Sequence, residues 1–535
     1  MKNTIQLTKQ YLLIPVSENG TDTKIEILCD GEKLHEMIIT LDSENYDFYS
    51  SLLLKKYVGK KIEIVGEISE GWFDQVTQSD KKAKPKGIRP NLHYAPVSGW
   101  MNDPNGLIYY NGYYHMYHQH NPYGKKWNNI HWSHTMTKDF ITYTETEPVL
   151  SPDVNGAMYS GTAICDSASI MGYGKDAILY YYTCAGSKND WSEGKEFIQK
   201  IAYSIDEGKT LIKTDDFIME HIVEENRDPK VFYHSDSEAY IMILYLSNDT
   251  FGIYRSIDLK NWIETDRLHE EGMWECPDLF EVTNPENKLK KWVFWSADGY
   301  YILGDFDGRV FTRETKRLSV YASLRKEVKN LELMRTYRAY AAQTFFGVGQ
   351  RVLQLSWISS DKKERDYKGQ FSLPAELRLC RTADGDRISL LPAVELNYLH
   401  KKQKCENKQF NKDNPYKKGI HNNPFDIFIK IKKQNKGKLN LICLNNIITI
   451  DFTANKISTN LMETEIIEQG KYITLRIFVD IDIIEIFSQK GLSYFVLENI
   501  SDNLIGYIET ETKDNIEGTI NYYECNSVKM VSNLE

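Results

Sequence analysis

Short runs in which apolar and polar residues alternate, or in which β-branched residues gather, recur along almost the whole chain, and helical spacing is scarce. Near the start they fall at 11–16, 24–28, 37–41 and 61–65, separated by Asn19-Gly20 and Asp30-Gly31. A period of two places one face of a strand in a core, and Asn-Gly or Asp-Gly pairs accept the positive φ of tight hairpins. A polar, lysine-rich stretch at 79–87 breaks the pattern and reads as a solvated linker. The runs resume at 425–431, 439–444, 447–452, 472–480, 483–488 and 492–498, the pattern of a β-sandwich. The Lys/Asn-rich stretch 401–423 lacks alternation and is expected to be a long surface loop.

Between these blocks lies a near-repeat. Five times a small or polar residue leads into a short apolar strand: at Asn102-Asp103-Pro104, Tyr159-Ser160-Gly161, Arg227-Asp228-Pro229, Glu275-Cys276-Pro277 and Ala341-Ala342-Gln343. The starts are roughly 50 to 70 residues apart with further strands after each, a spacing that signals propeller blades. The expected fold is therefore all-β: a small N-terminal β-domain plus linker at 1–87, a five-bladed β-propeller at 88–380 and a C-terminal β-sandwich at 381–535. In such a propeller the five lead strands converge on one funnel.

That convergence gives three acids a meaning. Asp103, Asp228 and Glu275 each head a lead strand. Singly, Asp103 suits a turn before Pro104-Asn105-Gly106, and Asp228 and Glu275 suit solvated surface charges. Three acids at matching points of a repeat are a different matter. Displacement at an anomeric carbon needs one carboxylate to attack and one carboxylic acid to release the leaving oxygen, and clustered carboxylates raise one another's pKa.

Composition narrows the partners. A net charge of −10 argues against nucleic acid and anionic membranes and suits a neutral saccharide, and aromatics at 12% supply rings for stacking sugars. Eight Cys without a CxxC pair point to free thiols rather than disulfides or zinc. His118 and His120 share a strand face, but no third ligand falls at a metal-site spacing, so neither a metal nor a cofactor is expected. The first twelve residues hold no sustained apolar run, and 240–246 is too short to span a bilayer, so the expected location is cytoplasmic unless a leader precedes Met1. Oligomeric state is not legible.

Several runs together resemble glycoside hydrolase family 32, which includes invertases, levanases and inulinases. They are His93-Tyr94-Ala95-Pro96 through Trp100-Met101-Asn102-Asp103-Pro104-Asn105-Gly106, Arg227-Asp228-Pro229, and Trp274-Glu275-Cys276-Pro277-Asp278. Gln119-His120-Asn121-Pro122, Trp127, Tyr159-Ser160-Gly161 and Gln370-Phe371-Ser372-Leu373-Pro374 fit the same pattern. His118 and Ser133 depart from it, at positions where the family commonly has an aromatic and a Gly.

The resemblance implies a retaining β-fructofuranosidase acting on levan, inulin, fructo-oligosaccharides or sucrose. It implies Asp103 as nucleophile, Glu275 as acid and then base, and Asp228 as a transition-state stabiliser. Asn102, Gln119, Trp127, Tyr159, Ser160 and Arg227 would bind substrate or position the acids. The first block resembles the small N-terminal domain of some bacterial fructanases, which tilts the substrate toward fructans. The alternatives are a sucrose or sucrose-6-phosphate hydrolase, and a carbohydrate-binding propeller without catalysis. Retention further requires Asp103 and Glu275 to face each other at roughly 5 to 5.5 Å.

Overall fold

The computed structural model describes residues 2–326, 328, 339–360, 362, 364–468, 470–499 and 503–532. Nearly all regular structure is β; the one α-helix among the described residues is the single turn Glu70–Phe73. Near the N-terminus a sheet ordered Lys2–Gln6, Lys61–Gly66, Thr21–Cys29, Glu32–Leu41 accompanies a three-stranded sheet of Phe48–Leu53, Tyr11–Val16 and Thr77–Ser79. Their inward residues, among them Leu12, Ile14, Ile25, Ile27, Ile39, Ile62 and Ile64, close over Trp72 in one core.

Five sheets follow, each built on four antiparallel strands paired in chain order. Their lead strands are Gly99–Tyr110, Ala157–Asp166, Arg227–His234, Asp278–Thr283 and Ala339–Thr344. The first lead strand lies against the second and the fifth, the second against the third, and the fourth against the fifth. A boundary at 380 falls inside the strand Ala375–Thr382, whose hairpin partner runs on to Pro392, so the fifth sheet ends there.

The lead strands are also pinned by a buried ion pair. Lys230 Nζ lies 3.1 Å from Asp278 Oδ2 and donates to Thr344 O and Oγ1 at 2.9 Å, joining the third, fourth and fifth sheets.

Downstream, a seven-stranded and a six-stranded sheet share a core of Ile427, Ile429, Leu441, Ile450, Ile477, Ile486 and Ile520. Here one expectation fails. The stretch 401–423 is not a loop: it holds most of the strand His400–Phe410 and all of Lys417–His421. These two are the outer strands of their sheets, pairing with Gly518–Cys525 and Ile505–Thr512, and most of their side chains face solvent. An edge strand needs lysines for solubility and little apolar alternation, which removes the signal that period-two reading depends on. The last strand, Lys529–Ser532, returns to pair in parallel with Thr142–Glu145 of the first five-sheet member.

All eight cysteines are free thiols. Among the described residues no helix is long and apolar enough to cross a membrane.

Candidate active site

Four of the five lead strands break register at the same point, between Met101 and Pro104, Met158 and Gly161, Arg227 and Lys230, and Tyr340 and Gln343. In the remaining sheet the corresponding Glu275 and Cys276 lie just before the lead strand begins. A bulge re-aims a side chain that regular alternation would send elsewhere. Asp228 (φ 64°), Glu275 (φ 47°), Cys276 (φ 38°) and Ala341 (φ 51°) take left-handed backbone there, a strain of about 1–3 kcal/mol each that only a rigid surround sustains. Gly161 supplies the closest approach: a Cβ at this position would stand 1.9 Å from Tyr181 O.

The bulges bring Asp103, Asp228, Glu275 and Cys276 together. Asp103, 8% exposed, accepts from Ser160 Oγ at 2.6 Å and Gln119 Nε2 at 3.5 Å on Oδ2, and from Asn102 Nδ2 at 3.1 Å on Oδ1. Those donors are themselves held: Asn102 Nδ2 also donates to Gln119 Oε1 (2.7 Å), Gln119 Nε2 to Ser160 Oγ (2.5 Å) and Trp100 Nε1 to Asn102 Oδ1 (2.8 Å). Asp228, 4% exposed, accepts from the Cys276 N–H at 3.1 Å, and its own N–H donates to Thr183 Oγ1. The Cys276 thiol bridges the two acids, 3.5 Å from Asp103 Oδ2 and 3.4 Å from Asp228 Oδ2.

Glu275 is placed differently, with its side chain 24% exposed. Its Oε1 accepts from Arg227 at 2.9 Å and from Trp274 Nε1 at 2.5 Å, and its Oε2 from Tyr340 OH at 3.2 Å. Arg227 also lies 3.8 Å from Asp228 Oδ2 and over the ring of Tyr245 at 4.8 Å. Trp127 and Tyr159 form no hydrogen bond with the acids. They stand at the rim edge to face, ring centroids 5.9 Å apart, with Trp127 45% exposed.

Burial raises the pKa of Asp103, with the Ser160 hydrogen bond opposing and the charge of Glu275 adding. Burial raises Asp228 to about 7, Arg227 opposing and Glu275 and Asp103 adding. Burial and the same three carboxyl groups push the Cys276 thiol well up, so the sulfur keeps its proton and acts as a weak donor. Asp228, Glu275 and Cys276 place donor atoms within 4.8 Å of one another. Arg227 already supplies a cation to both carboxyl groups of that set. His118 and His120 are satisfied inside the protein, by Tyr94 OH and Gln119 O, and by Ser133 Oγ and Ser98 O.

The titration of Asp228 has a measurable consequence. Its folded pKa of about 7 lies above the ordinary 3.8, so ionising it opposes folding progressively as pH rises between those values, and in full above them. Asp228→Asn is expected to stabilise the fold by on the order of 2 kcal/mol at pH 8, with the gain vanishing near pH 4, while turnover falls. Thermal melts at the two pH values, set beside kcat, check this; equal gains at both would refute it.

The sequence motifs do not single out Tyr340 and Trp274 as partners of Glu275, Thr183 as the partner of the Asp228 N–H, or Tyr245 beneath Arg227. A signal for Tyr340 existed: like Arg227, it immediately precedes the bulge of its lead strand, and both reach Glu275.

Clustered carboxyl groups in unlike surroundings are the equipment of the glycoside hydrolase class, whatever fold carries them. Residues 93–392, more than half of the chain, match the Glycosyl hydrolases family 32 N-terminal domain, and the chain belongs to that family. A levanase of Bacillus subtilis is 32% identical over 348 residues, covering 60% of this chain and 49% of its own. An extracellular exo-inulinase of Aspergillus awamori is 32% identical over 265 residues, 42% of this chain and 49% of its own. The chain thus spans about half the length of these curated relatives. The crystal structure of exo-inulinase from Aspergillus awamori superposes with a TM-score of 0.72 at 21% identity, over 83% of this chain and 99% of that one, which shows the shared fold.

Proposed function

We propose that this chain is a retaining β-fructofuranosidase that releases terminal fructose from fructans, fructo-oligosaccharides or sucrose. The five consecutive sheets are read as blades of a five-bladed propeller, with units at 1–87, 88–392 and 393–535. Lead strands that lie against one another, with bulged acids at their heads, support that reading.

In this reading Asp103 attacks C2 of the fructosyl unit. Glu275 gives a proton to the leaving oxygen and then takes one from water. Asp228 holds fructose hydroxyls more tightly as the ring flattens. Asn102, Gln119 and Ser160 hold Asp103 and meet the sugar beside it; Arg227 positions Glu275; Trp127 and Tyr159 wall the pocket.

The observation that carries the assignment is the contrast between the acids. Both are held by donors on each oxygen, but Asp103 is 8% exposed among the neutral donors Ser160, Gln119 and Asn102, whereas the Glu275 side chain, held by Arg227, Trp274 and Tyr340, is 24% exposed on the side where a leaving group would depart. The names of the relatives, levanase and exo-inulinase, support a fructan over sucrose alone.

The test is a product profile on sucrose, inulin and levan, with NMR of the first product. Fructose released one unit at a time, first as the β-anomer, is the expected result. The α-anomer as first product would remove retention, and binding without cleavage of any of the three would make the chain a binding module.

A further inference from the structure

We infer that the N-terminal β-unit is the template for the loop that carries Trp127, with Asn129 as the positioning residue that ties the two together; the inference rests on the proposed activity, in which Trp127 walls the fructose pocket. The loop is 122–130, between the strands Tyr113–Asn121 and His131–Thr137 of the first of the five sheets. It holds no strand or helix of its own, so its shape comes from what it packs on.

Much of what it packs on is the N-terminal unit. Tyr123 belongs to the same buried core as Leu12, Ile14 and Trp72, and stands edge-on to His35 with centroids 6.0 Å apart. Lys125 pairs with Glu18, and Lys126 lies 2.9 Å from Asp22.

The most specific contact is that of Asn129. Glu32–Leu41 is an outer strand of its sheet, and in an antiparallel strand the N–H and C=O of one residue point to the same side. Ile38 turns both toward the open edge, where they need a partner. The Asn129 amide serves as a further peptide would: Oδ1 accepts from the Ile38 N–H and Nδ2 donates to the Ile38 carbonyl, both at 2.8 Å. Nδ2 also donates to Asn121 Oδ1 at 3.0 Å, and Asn121 Nδ2 donates to the Lys126 carbonyl at 2.8 Å, so the pairing reaches the residue before Trp127. Asn129 takes φ 44°, a left-handed conformation that Asn accepts more readily than most residues.

Trp127 itself meets Tyr159 edge to face, and Tyr159 immediately precedes Ser160, which donates to Asp103. The loop is thus anchored in the N-terminal unit and delivers one ring to the carboxylate site. Holding that ring in place beforehand removes an ordering cost that binding would otherwise have to meet. A wall touches the sugar in the ground and transition states alike, so loosening it raises KM and spares kcat.

The experiment measures kcat and KM on sucrose for the unaltered protein, Asn129→Gly, Ile38→Pro, Trp127→Ala and the double variant Asn129→Gly/Trp127→Ala. Glycine accepts the same φ, so Asn129→Gly removes the amide without adding backbone strain. Ile38→Pro deletes the N–H from the other side of the contact, at an edge where proline is tolerated. Expected is a rise in KM of about 10-fold for Asn129→Gly and about 3-fold for Ile38→Pro, with kcat within about 2-fold. Adding Asn129→Gly to Trp127→Ala should raise KM no further, because the amide acts through the ring. An unchanged KM in Asn129→Gly, a loss in kcat as large as the rise in KM, or the same step in the Trp127→Ala background would overturn the inference. Trypsin gives a readout that needs no turnover: cleavage after Lys125 or Lys126 should be about 5-fold faster in Asn129→Gly and Ile38→Pro. Equal rates in all three proteins would overturn the tether. If the unaltered protein releases no fructose from sucrose, the proposed activity fails, and the trypsin result still decides the tether.

Discussion

Asp103→Asn is expected to lower kcat by on the order of 10⁴-fold or more with the fold intact. The carboxylate is buried in the site and held on one oxygen by Asn102 and on the other by Ser160 and Gln119. An amide of the same shape keeps the packing but has no anionic oxygen to attack with, and replacing a covalent nucleophile removes the reaction's first bond rather than weakening an interaction. Unchanged circular dichroism and melting separate lost chemistry from lost structure. Azide then distinguishes the two acids. With Asp103→Ala it should attack the sugar directly and give the inverted α-azide. With Glu275→Ala it should intercept the covalent intermediate and give the β-azide. The same azide anomer from both variants would end the division of roles.

His93→Gln is expected to destabilise the protein by about 3–5 kcal/mol, the scale for breaking a buried ion pair and leaving its partners uncompensated. His93 is fully buried between Asp480 Oδ2 at 2.8 Å and Glu485 Oε1 at 2.7 Å, both in the six-stranded sheet's neighbourhood. Asp480 also accepts the N–H groups of Asn91, Leu92 and His93, while Glu485 accepts from Leu373 N–H and Tyr494 OH. This cluster therefore fastens the segment before the first lead strand to the C-terminal sheets.

Burial opposes the imidazolium, but the two carboxylates more than offset it and raise His93 to about 9. A pKa above the ordinary 6.5 means the bound proton stabilises the fold fully below 6.5 and is lost as pH rises through about 9. Denaturant titrations should show the unaltered protein losing on the order of 3 kcal/mol across that window, and His93→Gln lacking that loss. Parallel pH curves for the two proteins would sink the assignment.

What was legible in the chain was local. Period-two alternation marked strands such as Phe425–Lys432 and Asn446–Asp451 to within a residue of their observed bounds, because a half-buried strand writes its burial directly into residue order. The five repeat segments located the lead strands, and the acids at their heads stood out because chemistry restricts residue type as strictly as burial does.

What only the tertiary structure decided was distance, register and charge state. Cys276 Sγ reaches Asp103 across 173 positions because the first and fourth lead strands both pack on the fifth, and no local pattern carries that separation. The bulges that aim the acids, the Tyr340 hydroxyl on Glu275, and the burial that raises the pKa of Asp103 and Asp228 all depend on what surrounds a side chain in three dimensions. So does the strand His400–Phe410, whose lysines are explained by an edge position that exists only once its neighbour is in place.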